Sequence, residues 1–170
     1  REPILTAVFV DYDNIYLSLK KRSDEAAKRF AKDAVSWIKE IESGRLITAT
    51  NAPAHSRPRR IVVNRCYGNP VPRRNSHDNS TDMTSFPFVR HHFLRAGFEV
   101  VKVPMPPAMR ANVRGKNVRL SASYLNFYIG NEVVLVPAYG VETDAAASQI
   151  IARAFPCRRI AGIDCRDIVY

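Results

Sequence analysis

Apolar and polar positions along this chain follow two rhythms. Short apolar runs end in polar clusters, and between them apolar residues recur every three or four positions. Thr6-Ala-Val-Phe-Val-Asp11 is the first run, of the kind that makes buried central strands of α/β sheets. Residues 15–22 read as a first helical turn or two. Residues 24–43 then place Ala27, Phe30, Ala34, Trp37, Ile38 and Ile41 on one face, which predicts a long amphipathic helix, capped by Ser23 or Asp24 and stopped by Gly44. Pro53 and Pro58 mark a loop over 48–60. Ile61 to Tyr67 is a second strand, and 68–81 is polar and irregular. Residues 83–96 form a helix with Pro87 tolerated in its first turn and Gly97 as its stop. Phe98 to Val103 is a third strand. This βαβαβ order predicts a parallel, Rossmann-like sheet with right-handed crossovers.

The second half changes character. Residues 104–117 hold three prolines and a glycine with no apolar period, so they read as a loop. Leu120 to Ile129 alternates, Gly130-Asn131 makes a turn, and Val133 to Pro137 completes a hairpin. Thr143 caps a helix over 144–155, Pro156 closes it, and Arg159 to Asp164 is a last strand. The unit is ββαβ. The helix stop, short strand and proline-rich exit over 97–107 form the seam between the halves, which predicts portions 1–101 and 102–170. Joined, they predict one continuous mixed sheet with helices on its faces.

Composition narrows the functional classes. The 46% hydrophobic and 25% charged fractions are those of a globular protein. No apolar run approaches the ~20 residues of a bilayer span, and Asp11 and Asp13 interrupt the only apolar N-terminal run, so the expectation is a cytoplasmic chain without membrane contact. A net charge of +10, from 26 basic and 16 acidic residues, suggests a polyanion, with RNA the first candidate. Cys66, Cys157 and Cys165 lack CxxC spacing and are odd in number, which argues for reduced thiols rather than a disulfide or zinc framework.

Candidate chemistry sits at the end of the first strand. Asp11, Asp13 and Asn14 offer two carboxylates and an amide oxygen, hard ligands suited to Mg²⁺ or Mn²⁺. The alternative is that Asp13 or Asn14 caps the next helix. Arg57, Arg59, Arg60, Arg65, Arg73 and Arg74 flank the second strand and its loops, where they could contact phosphates. His91 and His92 read as helix-surface residues.

Two resemblances follow from these residues. Val8-Phe-Val-Asp11-Tyr-Asp-Asn14-Ile, the long helix and Gly97-Phe98-Glu99-Val100-Val101 resemble the N-terminal part of an NYN domain, a PIN-like nuclease family, over about residues 4–101. This implies metal-dependent RNA hydrolysis, with Asp11 and Asn14 at matching positions. The family's later Ser-Gly-Asp-type motif does not occur, so Mg²⁺ or Mn²⁺ would bind weakly.

Val103-Pro-Met-Pro106, Ser121-Ala-Ser-Tyr-Leu-Asn-Phe-Tyr128, Val136-Pro-Ala-Tyr-Gly140, Asp144 and Phe155-Pro156 with Ile160 to Asp164 resemble agmatine deiminase, of the pentein superfamily. That resemblance covers about 99–170. It implies ββαβ modules and a cysteine nucleophile, whose stretch does not occur here; Ser123, Tyr124 and Asn126 would line a vestigial substrate pocket.

The leading expectation is therefore a chimera of two incomplete domains with no intact catalytic site. One alternative is a residual metal-dependent, RNA-binding ribonuclease-like domain. The other is an agmatine deiminase-like hydrolase fragment lacking its nucleophilic cysteine.

Overall fold

Eight residues without proline or glycine, Ile4–Asp11, form strand β1 in the computed structural model, which describes residues 2–46, 58–74, 80–120 and 122–167. Asp11 then turns the chain. Its carboxylate accepts from the Asn14 amide and N-caps helix α1 (Tyr12–Lys20). The long helix expected over 24–43 is two helices. Ser23 caps α2 (Asp24–Lys32), and Asp33 ends α2 and caps α3 (Ala34–Glu42). The break has a local cause. Asp33 leaves helical geometry at φ −124° and ψ 51°, and its side chain accepts from the Ser36 amide, which offers the backbone an alternative to the helical ladder. The apolar period survives the break, so it could not reveal it.

Strand β2 (Arg59–Gly68) runs parallel to β1, with Ile4 beside Arg59 and Asp11 beside Tyr67. Helix α4 (Phe86–Arg95) carries Pro87 in its first turn, and Gly97, at φ 81°, follows its end. Strand β3 (Glu99–Lys102) completes a sheet of order β1-β2-β3. The expected parallel pairing of the first two strands is present, but β1 lies at an edge rather than in the centre, and only Val10 along it is buried. Sequential strand order also gives this sheet no reversal point, the feature that creates the ligand crevice of Rossmann-like folds.

The chain divides into two compact units, Arg1–Val100 and Val101–Tyr170. The first has an aromatic core. Tyr12 and Phe93 are fully buried, and Phe86, Phe30, Trp37 and Phe98 surround them with ring centroids 5.3–6.3 Å apart. Gly68 permits this packing, because a β-carbon there would come within 2.1 Å of the Phe86 ring.

In the second unit, residues 104–117 are not simply a loop. Strands β4 (Arg110–Val113) and β5 (Lys116–Arg119) form an antiparallel hairpin. Its two-residue turn, Arg114-Gly115, has φ of 50° and 77°, the positive values that tight hairpins demand. Strand β6 is only Tyr128–Ile129 and pairs antiparallel with β7 (Val133–Ala138). Helix α5 (Thr143–Ala154) leads to β8 (Arg159–Asp164), parallel to β7. Thr143 is its first residue, with Glu142 at the cap position.

Among the described residues the strands form three sheets, not the single continuous one expected. Val103 and then Pro104, Pro106 and Pro107 follow β3; proline lacks the amide that a strand ladder needs, so β3 itself ends there.

Candidate functional site

At the C-terminal end of β1 the acidic residues are brought close but not opened to a metal. Asn14 donates from its amide to one Asp11 oxygen at 3.2 Å and from its side chain to the other at 2.6 Å. Burial pushes the Asp11 carboxyl above its usual range, the Asn14 bonds oppose that, and the Asp13 charge adds to it. Asp13 faces elsewhere: one oxygen pairs with the Arg73 guanidinium, and the other accepts from the Asn69 amide at 2.9 Å. The proposed donors are therefore committed to protein partners. Among the described residues there is no group of three or more His, Cys, Asp or Glu that could hold a metal ion. The contacts of Asp11 and Asn14 are those of a helix cap, with Asp11 as the capping residue where Asp13 or Asn14 was expected.

Arg73 is the hub of a polar cluster in the first unit. Its Nε donates to Asp82 at 3.3 Å, and one terminal nitrogen donates to the Thr84 carbonyl at 3.0 Å. Its guanidinium carbon lies 4.6 Å from the Tyr16 ring centroid and 5.9 Å from that of Tyr12. Asp82 accepts from the Thr84 amide and hydroxyl, at 2.9 and 2.5 Å. Burial works to raise the Asp82 carboxyl, but the Thr84 bonds and the Arg73 charge outweigh it and hold it below the usual range. Tyr12, Tyr16 and Thr84 were not singled out in the sequence. The legible signal was the four-residue spacing of Tyr12 and Tyr16, which puts both on one helix face.

Arg59 and Arg65 lie six residues apart along β2, about 20 Å at strand rise. Arg65 is paired with Glu99 at 2.5 Å, and Arg73 is held by Asp13 and Asp82. Arg60 and Arg74 are exposed. Arg57 lies outside the described residues. His91 and His92 sit on α4 with rings 3.9 Å apart.

In the second unit Asp144 does the organising. One oxygen accepts from the Tyr124 hydroxyl at 2.5 Å; the other takes the amides of Tyr139, Gly140 and Val141 at 3.0, 2.8 and 3.2 Å. Tyr139 returns to the 123–126 segment, accepting from the Ser123 amide at 2.9 Å and donating to its carbonyl at 3.0 Å. Tyr124 is fully buried and its hydroxyl also meets Thr143 at 2.7 Å. Tyr124 therefore braces the strand–helix corner instead of lining a pocket. Ser123 caps its own turn by accepting from the Leu125 amide at 3.2 Å, while Asn126 is exposed.

The three cysteines are dispersed. Cys66 is buried, and burial, then the charges of Asp11 and Asp13, push its thiol far above the reactive range. Cys157 is exposed and Cys165 half-buried beyond β8.

Both units are mixed α/β structures built on small sheets, and in the second the order β6-β7-α5-β8 follows a β4–β5 hairpin that the ββαβ pattern did not include. The sequence model of the Porphyromonas-type peptidyl-arginine deiminase family matches residues 13–170, and the chain belongs to that family. The match runs across 97–107, where a join of two proteins was expected, so one family takes the place of the chimera with a nuclease part.

A candidate agmatine deiminase of Marinomonas sp. (strain MWYL1) is 34% identical over 42% of this chain and 23% of its own length. One from Legionella pneumophila (strain Paris) is 40% identical over 42% of this chain and 20% of its own. The solved candidate arginine deiminase of Porphyromonas gingivalis is 28% identical over 61% of this chain and 29% of that one, with a TM-score of 0.45. The chain thus spans about a fifth to a quarter of the curated relatives it matches. No helix among the described residues is long and apolar enough to cross a membrane.

Proposed function

We propose that the chain is a portion of a guanidino-group hydrolase of the agmatine deiminase type, with residues 101–170 as one structural module of it. The observation that carries this is the family match over residues 13–170, supported by the relatives' names. In such chemistry a cysteine thiolate attacks the guanidinium carbon and ammonia leaves; water then releases the product and frees the cysteine. The described residues favour a supporting role over a catalytic one. Cys66 is sealed in the core with its thiol held protonated, and Cys157 and Cys165 stand apart at a helix exit and a strand exit. The Asp144 network supplies a rigid corner of the kind that positions neighbouring loops.

The expected result for the chain by itself, incubated with agmatine, is no ammonia above the uncatalysed background. Ammonia release that is lost on Cys165→Ser would instead make it a self-sufficient enzyme, and would overturn this reading.

A further inference from the structure

The β4–β5 hairpin carries charge that has no part in the core. Arg110, Arg114, Lys116 and Arg119 place four cations on one short ribbon, with no carboxylate in the sequence between Arg110 and Arg119. All four side chains are exposed, and among the described residues none of them pairs with a carboxylate. The register sharpens the arrangement. Arg110 faces Arg119, and Asn112 faces Asn117. The Leu120 amide donates to the Met109 carbonyl at 2.9 Å, so both facing pairs fall at non-hydrogen-bonded positions, where opposed side chains are closest. Like charges held opposite each other destabilise a ribbon, and anions beside them remove that penalty. Strand alternation puts Arg110, Asn112, Asn117 and Arg119 on one face.

The shape and chemistry of that face select a partner. A two-stranded ribbon fits the major groove of duplex DNA, about 12 Å wide and 8.5 Å deep. The asparagine pair lies two residues nearer the turn than the arginine pair, a step of about 7 Å. A ribbon entering the groove turn first therefore brings the amides to base edges, where asparagine pairs with adenine. The same step leaves the arginines at the rim, beside the phosphates. The deep, narrow major groove of an RNA duplex does not admit such a ribbon.

We propose that the β4–β5 hairpin binds the major groove of duplex DNA, with Asn112 and Asn117 at base edges and Arg110 and Arg119 on backbone phosphates. This assignment is independent of the hydrolase reading, which stands or falls on ammonia release. The test is fluorescence anisotropy of a labelled, mixed-sequence DNA duplex of two helical turns, titrated with the chain at several salt concentrations. Arg110→Gln with Arg119→Gln weakens binding about tenfold or more and lowers the slope of log affinity against log salt by about 2. The melting temperature of that variant equals or exceeds that of the wild type, because the facing charges are gone. Arg22→Gln with Arg90→Gln, the same loss of charge at exposed positions of the first unit, leaves binding unchanged. No binding by the wild type, an equal loss in the Arg22→Gln/Arg90→Gln chain, or equal affinity for an RNA duplex of the same length would each overturn the proposal. A lower melting temperature in the Arg110→Gln/Arg119→Gln chain would mark the pair as structural and overturn it too.

Discussion

Phe93→Ala lowers the unfolding free energy of the first unit by about 3–5 kcal/mol, the range for emptying a phenylalanine site in a core. Phe93 is fully buried, with ring centroids 5.5 Å from Tyr12, 5.8 Å from Phe30 and Phe98, and 6.1 Å from Trp37. Truncation removes one ring from contact with several others at once and leaves a void at the centre of the aromatic cluster. Natural domains hold only about 5–15 kcal/mol in total, so this one change consumes a large share. Urea unfolding followed by Trp37 fluorescence reads it directly, since Trp37 lies against the affected ring. Leu94→Ala, at a residue 53% exposed, is the matched control and shifts stability by about 0.5 kcal/mol or less. Equal effects at the two positions would mean that the aromatic cluster is not the core.

The second large effect belongs to Asp144. Asp144→Ala removes the acceptor of four hydrogen bonds, from the Tyr124 hydroxyl and three consecutive amides of the 139–141 turn. Tyr124 keeps its contact with Thr143, so part of the loss is recovered. The expected cost is about 3 kcal/mol, the scale of two net bonds to a charged acceptor.

A pH profile separates this from a packing defect. Burial acts to raise the Asp144 carboxyl, but the Tyr124 hydroxyl and the backbone amides outweigh it and hold it below its ordinary 3.8. Because the folded value is depressed, the stability Asp144 contributes is complete above the unfolded value and is lost as pH falls through the folded one. Asp144→Asn lacks that part of the acid limb. An acid limb identical to wild type would show that Asp144 is not the charged anchor.

Much of the fold could be read from the sequence, for definite reasons. Period-3.6 stripes locate α4 and α5, and the β6–β7 turn at Gly130-Asn131 follows from turn chemistry. Errors arose where a local event left no mark on the apolar period. Asp33 splits a helix whose stripe continues through it. Arg114-Gly115 makes a hairpin without the usual Asn-Gly or Asp-Gly pair, between strands whose residues are largely exposed.

The site was less legible than the fold. Asp11, Asp13 and Asn14 look like a metal set in one dimension. In three dimensions Asn69 and Arg73, about 60 residues later in the chain, claim Asp13. No local pattern announces such a partner. The arginines differ in that Arg59, Arg60 and Arg65 are spread along β2, while Arg65 and Arg73 are each paired with carboxylates. Tyr124 was legible as important, but its fully buried hydroxyl makes it a brace for Asp144 and not a pocket wall. Within the expected seam over 97–107, one compact unit ends at Val100 and the next begins at Val101. A change of unit is not a change of family.

The most direct test of the central claim is a module exchange. Residues 101–170 of this chain would replace the matching segment of the Marinomonas relative, and ammonia release from agmatine would be measured at steady state. If these residues are a structural module of a guanidino-group hydrolase, the grafted protein keeps kcat/KM within about tenfold of its parent, about 1.4 kcal/mol in transition-state stabilisation. A graft that folds, melts cooperatively and releases no ammonia would contradict the account.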